Sequence, residues 1–248
     1  MPNLPTHIHF SLRALGDVLG SDVKGNLPAY IFGSTAPDIR AITKKDRSVY
    51  HFVALDFSEV GEGPKNLTRE YPSWSDLSNK SAESRAFIAG YVSHLILDET
   101  WITKIFRPYF ESSHIYPGRI QSLVMDRAMQ LEFDRTYWGS MKPHLSDIQR
   151  YGIDLDIDFL NGEPLDNWRD WILRLLGADF SWDRLLFMAK RIAKGEDSCQ
   201  AIEYAEEFVS NPERSIENML SALPKGIIHD FEELATNNIV NSVNRFMR

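Results

Sequence analysis

The chain has 248 residues, 43% of them hydrophobic, which is enough for a substantial core in one large domain or in one domain with an added lobe. Its 27 basic and 35 acidic residues give a formal net charge of -8, and no run of Lys and Arg has the length of a nucleic-acid tract. We therefore expect no nucleic-acid partner.

Targeting and redox features favour the cytoplasm. The first residues show no basic patch followed by an apolar run, and no later stretch of about 20 residues lacks charges, so we expect neither a secretory signal nor a transmembrane segment. Cys199 is the only cysteine, which excludes an internal disulfide and a thiolate metal cluster within one chain. We expect a cytoplasmic protein in which His, Asp, Glu or backbone groups hold any metal.

The amino-terminal part alternates helical and loop patterns. Thr6 is expected to cap a first helix over residues 7–19, and residues 20–25 are expected to form a turn. Residues 33–40 combine glycine and proline around an aspartate, which predicts a bend that presents the Asp38 side chain.

The segment from Ser81 to Phe106 is predicted to be a long central helix. Ser81 is expected to cap it, and Pro108 is expected to stop it just beyond its end. At 3.6 residues per turn, His94 and Asp98 lie on one face among large apolar side chains, so both are expected to point inward.

The remainder of the chain is predicted to be helical around one loop. Asp126 and Gln130 share a face of a helix over residues 119–138, and the Gly-, Pro- and Asp-rich residues 139–165 are expected to be a solvated connection. Later helices are expected at residues 164–176, 182–194, 197–210, 213–222 and 226–246. The fold class is therefore all-α, with residues 1–138 as a metal-binding helical core and residues 139–248 as a helical part packed on the same domain.

An inward-facing carboxylate at Asp98 needs an explanation. Burying an ionised carboxylate without compensation costs several kcal/mol, so Asp98 needs a cation, a set of donors or a water-filled cleft. A divalent metal shared with His94 meets that need. The simpler alternative is a hydrogen-bonded pair at the surface of the helix.

Three further groups stand in positions that a metal site uses. His7 lies at a helix start, Asp38 at a bend, and His51 between two aromatic residues. Zinc accepts imidazole and carboxylate ligands together, and a bridging aspartate serves more than one ion. The alternatives are that His7 caps its helix and that His51 is an aromatic-packed core histidine.

The order of these motifs resembles that of a known family. The shared features are Thr6-His7 followed by Arg13-Ala-Leu, the Gly33-x-x-x-Pro37-Asp38 bend, the isolated His51-Phe52, and Gly90-x-x-x-His94-x-x-x-Asp98. They are similar to those of the zinc-dependent phospholipases C and of the catalytic domain of glycosylphosphatidylinositol phospholipase D, and more distantly to the S1/P1 nucleases. The resemblance covers roughly residues 6–135. It implies an all-helical hydrolase with a metal cleft, in which metal-bound water attacks a phosphodiester.

The resemblance also implies a role for each residue. His51, His94 and Asp98 look like ligands of one ion, and Asp98 looks like the bridge to a second ion that His7 also binds. Asp38 looks like the carboxylate that orients or deprotonates the attacking water, close enough to the metals to be a ligand as well. The implied cofactor is zinc, as two or three ions.

Departures from the family pattern affect the third ion. Lys104 stands where the family has a histidine, and Asp126 and Gln130 stand where it has a His-x-x-x-Glu pair. The phospholipase D enzymes also carry an aspartate at the position of Asp126, which is therefore still a candidate ligand. His114 or Glu99 are candidates to compensate. His9 is a candidate to replace the amino-terminal ligand of the secreted relatives.

The substrate and the metal stay open at this point. Arg40 and Lys44 follow Asp38 and are candidates to bind a phosphate, although a solvated loop explains them equally well. Our first interpretation is a phospholipase C-like hydrolase of a small-molecule or lipid phosphoester. Iron or manganese in the same ligands would serve a non-haem di-metal oxidase. A non-catalytic binding protein that keeps metal for stability is a further alternative. The oligomeric state is not predicted.

Overall fold

A computed structural model describes residues 1–18, 21–111, 115–152, 155, 157–160, 163–192 and 196–248. Across these residues the regular elements are all helices, which confirms the predicted all-α class. No described helix combines the length and the apolar character needed to cross a bilayer.

Helices of very different length follow one another along the chain. The first seven are α1 (Leu4–Ala14), α2 (Ser21–Gly25), α3 (Leu27–Gly33), α4 (Arg40–Thr43), α5 (Arg47–His51), α6 (Glu62–Glu70) and α7 (Ala82–Trp101). They are followed by α8 (Arg119–Met141), α9 (Leu145–Arg150), α10 (Leu165–Gly177), α11 (Asp183–Ala189), α12 (Glu196–Ser210), α13 (Pro212–Ser221) and α14 (Ile227–Phe246). Short 3₁₀ turns occur at Ala36–Ile39, Pro72–Trp74, Lys142–His144 and Asp158–Leu160.

Helix α7 is the centre of the molecule, and nearly all of its side chains are buried. It packs against α1, α2, α3 and α14. Ser81 caps it as predicted, since its Oγ accepts a hydrogen bond from the backbone N–H of Ser84 at 3.1 Å. A helix surrounded on every side is apolar all round, so a polar group on it must find a partner inside the protein.

The crossing of α3 and α7 is unusually close because a glycine lies on each helix at the contact. A Cβ atom on Gly33 would lie 2.0 Å from the carbonyl oxygen of Phe87, and one on Gly90 would lie 2.0 Å from that of Tyr30. Real side chains do not tolerate such distances, so only glycine lets the two backbones meet here. The glycines that mark the two sequence motifs therefore set the spacing of these helices.

Three local predictions were wrong. The central helix does not end before Pro108, because a π-helical segment, Ile102–Glu111, continues α7 and contains this proline. The change of helical register accommodates a residue that has no N–H to donate. Thr6 lies inside α1 rather than at its cap, because α1 begins at Leu4, and the Thr6 hydroxyl donates to Asp134 at 2.7 Å. Residues 20–25 were predicted to form a turn, but the described part of this segment, Ser21–Gly25, is the helix α2.

The predicted loop at 139–165 contains helical structure, namely α9 and two 3₁₀ turns. Its Asp158 accepts hydrogen bonds from Ser73 and Trp74, whereas Asp154 and Asp156 lie outside the described residues. One continuous buried core extends from Leu4 to Val243.

Candidate metal centre

His94 and Asp98 lie one turn apart on α7, and both side chains are buried. The Nδ1 atom of His94 is 2.8 Å from the carbonyl oxygen of Ser34, the residue that follows the close crossing at Gly33. A carbonyl only accepts hydrogen bonds, so Nδ1 carries the proton and the lone pair of Nε2 is free to bind a cation. The helix crossing thus fixes both the tautomer and the orientation of His94.

His7 reaches the same place from α1. Its ring stacks on that of His94, with centroids 3.6 Å apart and planes inclined by 5°. Its Nε2 atom lies 3.3 Å from Oδ1 of Asp98. The interpretation of His7 as a helix cap does not fit, because this residue lies inside α1 with its side chain in the core.

His51 ends α5, and its position is fixed by a strained neighbour. Phe52 has φ of 58°, a left-handed conformation that is uncommon for a bulky residue. Its ring is held between Tyr71, Tyr91 and Phe159 in an aromatic cluster, which compensates for that conformation. The aromatic residues therefore pack around Phe52, whereas His51 points to the carboxylates.

These positions create two sets of three candidate metal ligands that share His94. One donor atom from each of His7, His94 and Asp98 lies within 4.8 Å of the other two, and the same holds for Asp38, His51 and His94. Nε2 of His51 is 3.2 Å from Oδ2 of Asp98 and 3.9 Å from Oδ1 of Asp38, while Nε2 of His94 is 3.9 Å from Oδ2 of Asp98. Ligands on a tetrahedral zinc ion at about 2.0–2.1 Å are roughly 3.3 Å apart, so these separations are close to the required ones.

The buried donor atoms of these groups are left without hydrogen bonds. These atoms are both ring nitrogens of His7 and of His51, Nε2 of His94, and Oδ1 of Asp98. Leaving one buried polar atom unsatisfied costs about 1–3 kcal/mol, and a natural protein rarely accumulates several in one place without a role. A divalent cation that accepts imidazole and carboxylate ligands satisfies them, so the donor set fits zinc.

Arg47 is a member of this centre whose ion pair with Asp98 was not predicted from the sequence. Its guanidinium donates to Oδ2 of Asp98 at 3.0 Å and to the carbonyl of Val53 at 3.0 Å, and the residue is 8% exposed. The available signal is its place on α5, four residues before His51 and hence on the same face. Arg47 gives Asp98 one permanent cationic partner, which offsets part of the cost of its burial.

Electrostatics keeps the main ligands in their metal-binding forms. Burial holds the pKa of His94 well below its ordinary value, and the neighbouring His7 lowers it further. Burial alone would raise the pKa of Asp98, but the imidazoles of His51 and His7 outweigh it and hold that pKa well below its usual range. Burial and the charge of Asp98 raise the pKa of Asp38. A neutral His94 and an ionised Asp98 are the forms that bind metal.

Asp126 is not brought into either group of ligands. Its Oδ1 accepts a hydrogen bond from the Trp101 indole at 3.0 Å, and its Oδ2 accepts one from Gln130 at 2.7 Å. Lys104 is exposed on the π-helical segment. The positions expected for a third ion are thus used for a hydrogen-bonded core contact and for a surface lysine.

The proposed substitutes for missing ligands lie elsewhere. His9 stacks on Tyr137 at 3.7 Å, and burial lowers its pKa to about 4. Glu99 accepts hydrogen bonds from the backbone N–H groups of Gly61 and Gly63 at the start of α6, and burial raises its pKa to about 7. His114 lies outside the described residues.

The two predicted phosphate ligands differ in their placement. Arg40 begins α4, two residues after Asp38, and its Nε atom is buried without a hydrogen-bond partner. Lys44 is exposed and donates to the carbonyl of Ala41. Arg40 therefore lies beside the candidate centre, whereas Lys44 lies on the surface.

An all-helical fold with a buried cluster of imidazoles and carboxylates at ligand spacing defines a candidate metalloprotein. Residues 6–101 match the family model described as zinc dependent phospholipase C, which confirms the family resemblance drawn from the motifs. The match covers less than half of the chain and includes His7, Asp38, His51, His94 and Asp98. Comparison with curated proteins and with solved structures gave no match.

Proposed function

We propose that the protein is a metal-dependent hydrolase of phosphoric esters, related in mechanism to the phospholipases C. The observation that carries this proposal is the convergence of five separated residues, His7, Asp38, His51, His94 and Asp98, on two groups with unsatisfied buried donors. The matching family model supports zinc as the metal.

In this proposal His7, His94 and Asp98 would hold one zinc ion, and Asp38 and His51 would hold a second ion beside it. His94 belongs to both groups of residues and could serve either ion, because it has a single free nitrogen. Bound zinc would lower the pKa of a water molecule and neutralise charge on the phosphoryl oxygens.

Asp38 has the position of a water-orienting carboxylate. Its side chain is 26% exposed, unlike the fully enclosed Asp98, so it borders both the ligands and the open side of the centre. Oδ1 of Asp38 is 3.9 Å from Nε2 of His51. From that position Asp38 accepts a proton from an attacking water, and its raised pKa makes it a stronger base than an exposed aspartate.

The proposal predicts zinc-dependent turnover of bis-p-nitrophenyl phosphate. Protein purified without chelator is expected to contain at least one zinc ion per chain by elemental analysis, and activity is expected to be lost with a chelator and restored by zinc. His94→Ala is expected to lower kcat/KM by at least about a thousandfold, because it removes a ligand common to both groups.

His229→Ala is the matched control, since His229 is exposed on α14, far along the chain from the ligands. Circular dichroism of both variants checks that the fold is kept. Fewer than one metal ion per chain after supplementation, or equal activity of the two variants, contradicts the proposal. Iron with oxygen consumption in the same elemental analysis would favour the oxidase alternative instead.

A metal-stabilised binding protein is the second candidate. The contacts that favour it are the ion pair of Arg47 with Asp98 and the hydrogen bond of Gln130 with Asp126, because both occupy carboxylates with protein donors. This candidate predicts stoichiometric zinc and zinc-dependent stability with no turnover of any phosphoester. The cytoplasmic location stays a prediction from the sequence.

A further inference from the structure

A cavity of about 240 Å³ lies directly beside the candidate metal centre. Asp38 belongs to both, since it lines the cavity and is a member of one ligand group. The other polar or aromatic lining residues are Asn3, Arg40, Trp168, Trp171 and Arg191. The cavity therefore adjoins the ligand groups at Asp38.

The charges around the cavity are mainly positive. Among its described lining residues Asp38 is the only carboxylate, whereas Arg40 and Arg191 supply two guanidinium groups. Neither arginine forms an ion pair with any of the described residues. Nε of Arg40 is buried without a partner, and the guanidinium of Arg191 lies 4.1 Å from the centre of the Phe187 ring.

The aromatic residues of the cavity do not form a cation-binding site. The rings of Trp168 and Trp171 stack on each other with centroids 4.9 Å apart and planes inclined by 12°, so they form a wall rather than a cage of converging faces. The indole N–H of Trp168 is already directed at the Thr35 hydroxyl at 3.3 Å. A quaternary ammonium group needs several aromatic faces around it and no competing cation, and this cavity offers neither.

We propose that this cavity binds a negatively charged group of the substrate, so that the preferred substrate carries at least two negative charges at or beside the scissile phosphate. Arg40 and Arg191 recognise that charge through their guanidinium N–H groups, which bind phosphate and carboxylate oxygens in pairs. Phosphocholine esters, whose head group is a cation, are poor substrates. This inference rests on the proposed function and adds its substrate class.

Arg191 makes the inference specific to this chain. It follows α11, in the part of the molecule beyond residue 138, and lies outside the region matched by the family model. The carboxyl-terminal part therefore contributes to substrate choice, while the metal ligands come from the first 101 residues.

The test compares three soluble esters that differ in charge: p-nitrophenyl phosphate, bis-p-nitrophenyl phosphate and p-nitrophenylphosphorylcholine. The wild-type protein is expected to have its highest kcat/KM with the dianionic monoester. Arg191→Gln is expected to lower that value about tenfold to a hundredfold, the size typical of a lost charge-assisted hydrogen bond, with less than a threefold loss for the other two esters.

Lys190→Gln is the matched control, because Lys190 is the exposed neighbour of Arg191 and does not line the cavity. It is expected to leave all three kcat/KM values unchanged. Equal losses on the three esters in Arg191→Gln, no loss at all, or a wild-type preference for the phosphorylcholine ester would each overturn the inference.

A binding measurement separates this inference from the proposed function. Inorganic phosphate is titrated calorimetrically into the zinc-loaded protein, and Arg40→Gln and Arg191→Gln are expected to weaken its affinity at least tenfold, whereas Lys190→Gln does not. An unchanged zinc content shows that the metal centre is intact in each variant. Absence of turnover with this pattern of phosphate binding contradicts the hydrolase alone, and turnover without it contradicts the anion-binding cavity alone.

A second pair of substrates distinguishes a lipid head group from a free phosphate. Phosphatidic acid and phosphatidylcholine are presented in the same detergent micelles. The inorganic phosphate released from phosphatidic acid, the phosphocholine released from phosphatidylcholine and the inorganic phosphate released from p-nitrophenyl phosphate are measured. Faster release from phosphatidic acid than from p-nitrophenyl phosphate identifies a lipid source, and the reverse order identifies a soluble one. Faster release from phosphatidylcholine than from phosphatidic acid would count against the inference.

Discussion

Asp98 is surrounded by three imidazoles and one guanidinium group. His7 and His51 approach its two oxygens at 3.3 and 3.2 Å, Arg47 donates to Oδ2 at 3.0 Å, and His94 lies one turn away on the same helix. The arginine and the imidazoles around this buried carboxylate hold its pKa well below the usual range, so Asp98 keeps its negative charge. Asp98 therefore offers a divalent cation a buried, charged ligand.

At the scale of single residues, the sequence predicted contacts between neighbours in the chain but not contacts between distant residues. The four-residue interval between His94 and Asp98 fixes their common face, because helix geometry depends only on neighbouring residues. The approach of His7 and His51 to Asp98 has no local cause, so it was predicted only through the order of the family motifs. The ion pair of Arg47 with Asp98 was missed because an arginine in a basic stretch is usually solvated.

The position of Arg47 leads to a prediction about stability. Arg47→Met is expected to lower the free energy of unfolding of the metal-free protein by about 3–5 kcal/mol, since it leaves the buried Asp98 carboxylate without its cationic partner. Zinc is expected to raise the melting temperature more in this variant than in the wild type, because the ion replaces the missing charge. Urea unfolding with and without zinc measures both effects.

Arg135→Met is the appropriate control for that experiment. Arg135 pairs with Glu132 three residues away on α8, and its side chain is 48% exposed, so its loss is expected to cost less than about 1 kcal/mol. If Arg47→Met is no less stable than Arg135→Met, the ion pair with Asp98 is not a significant part of the fold.

At the scale of helices, the close crossing of α3 and α7 connects packing to the metal centre. Gly33 and Gly90 let the two backbones meet, and the carbonyl of Ser34 is thereby brought to Nδ1 of His94. A separation of these helices by even an ångström would remove that hydrogen bond and release the histidine ring.

The crossing predicts a large effect of one added methyl group. Gly90→Ala is expected to lower the free energy of unfolding by at least about 1–3 kcal/mol, because its Cβ would lie 2.0 Å from the carbonyl of Tyr30, and to weaken zinc binding as well. Chemical denaturation and calorimetric zinc titration measure these changes.

Gly139→Ala makes the same substitution inside α8, where nothing lies within 4 Å of the new Cβ. Alanine is the better helix former by about 1 kcal/mol, so this control is expected to be neutral or stabilising. A Gly90→Ala protein that matches it in stability and zinc affinity would show that the helices are not held at this distance.

The ends of helices were harder to predict than their existence. The periodicity of α7, α8, α10 and α14 is evident in the sequence, and the structure contains all four. The prediction that Pro108 ends a helix was wrong because a change to π-helical register is a tertiary compromise that local rules do not include. The short α2 was missed because its five residues have no helical pattern of their own and are held by packing on α7.

For the whole molecule, the candidate ligands come from four separate elements: α1, the 3₁₀ turn at Ala36–Ile39, α5 and α7. Ions bound by the two ligand groups would together join parts of the chain that are far apart in sequence. Their binding free energy therefore adds to the stability of the fold as a whole.

We predict a zinc-dependent melting temperature that disappears on acidification. At a free zinc concentration of 100 times Kd, the stabilisation is expected to be about 2.7 kcal/mol. Zinc is expected to lose this effect on acidification because protons compete with the metal for the imidazoles, and for His94 this competition begins only well below pH 6.5, since burial lowers its pKa. Differential scanning calorimetry at several pH values checks this.

Magnesium is the control cation, since it prefers oxygen ligands and binds imidazole poorly. An equal rise of the melting temperature with magnesium, or a zinc effect that does not weaken on acidification, would be inconsistent with histidine ligands. His51→Ala is expected to reduce the zinc effect, as His51 belongs to only one of the two ligand groups.

The packing of α14 on the central helix α7 has a practical consequence. Phe231 of α14 packs edge-on against Trp101 at the end of α7 and against Phe133 of α8, with centroids 5.3 and 5.6 Å away. A shortened protein that stopped after α8 would expose the rings of Trp101 and Phe133 to water. It would also lose α10 and α11, and with them the lining residues Trp168, Trp171 and Arg191 of the cavity. The region that carries the family motifs is thus not a portable module, and engineering of this protein has to keep the helices beyond α8.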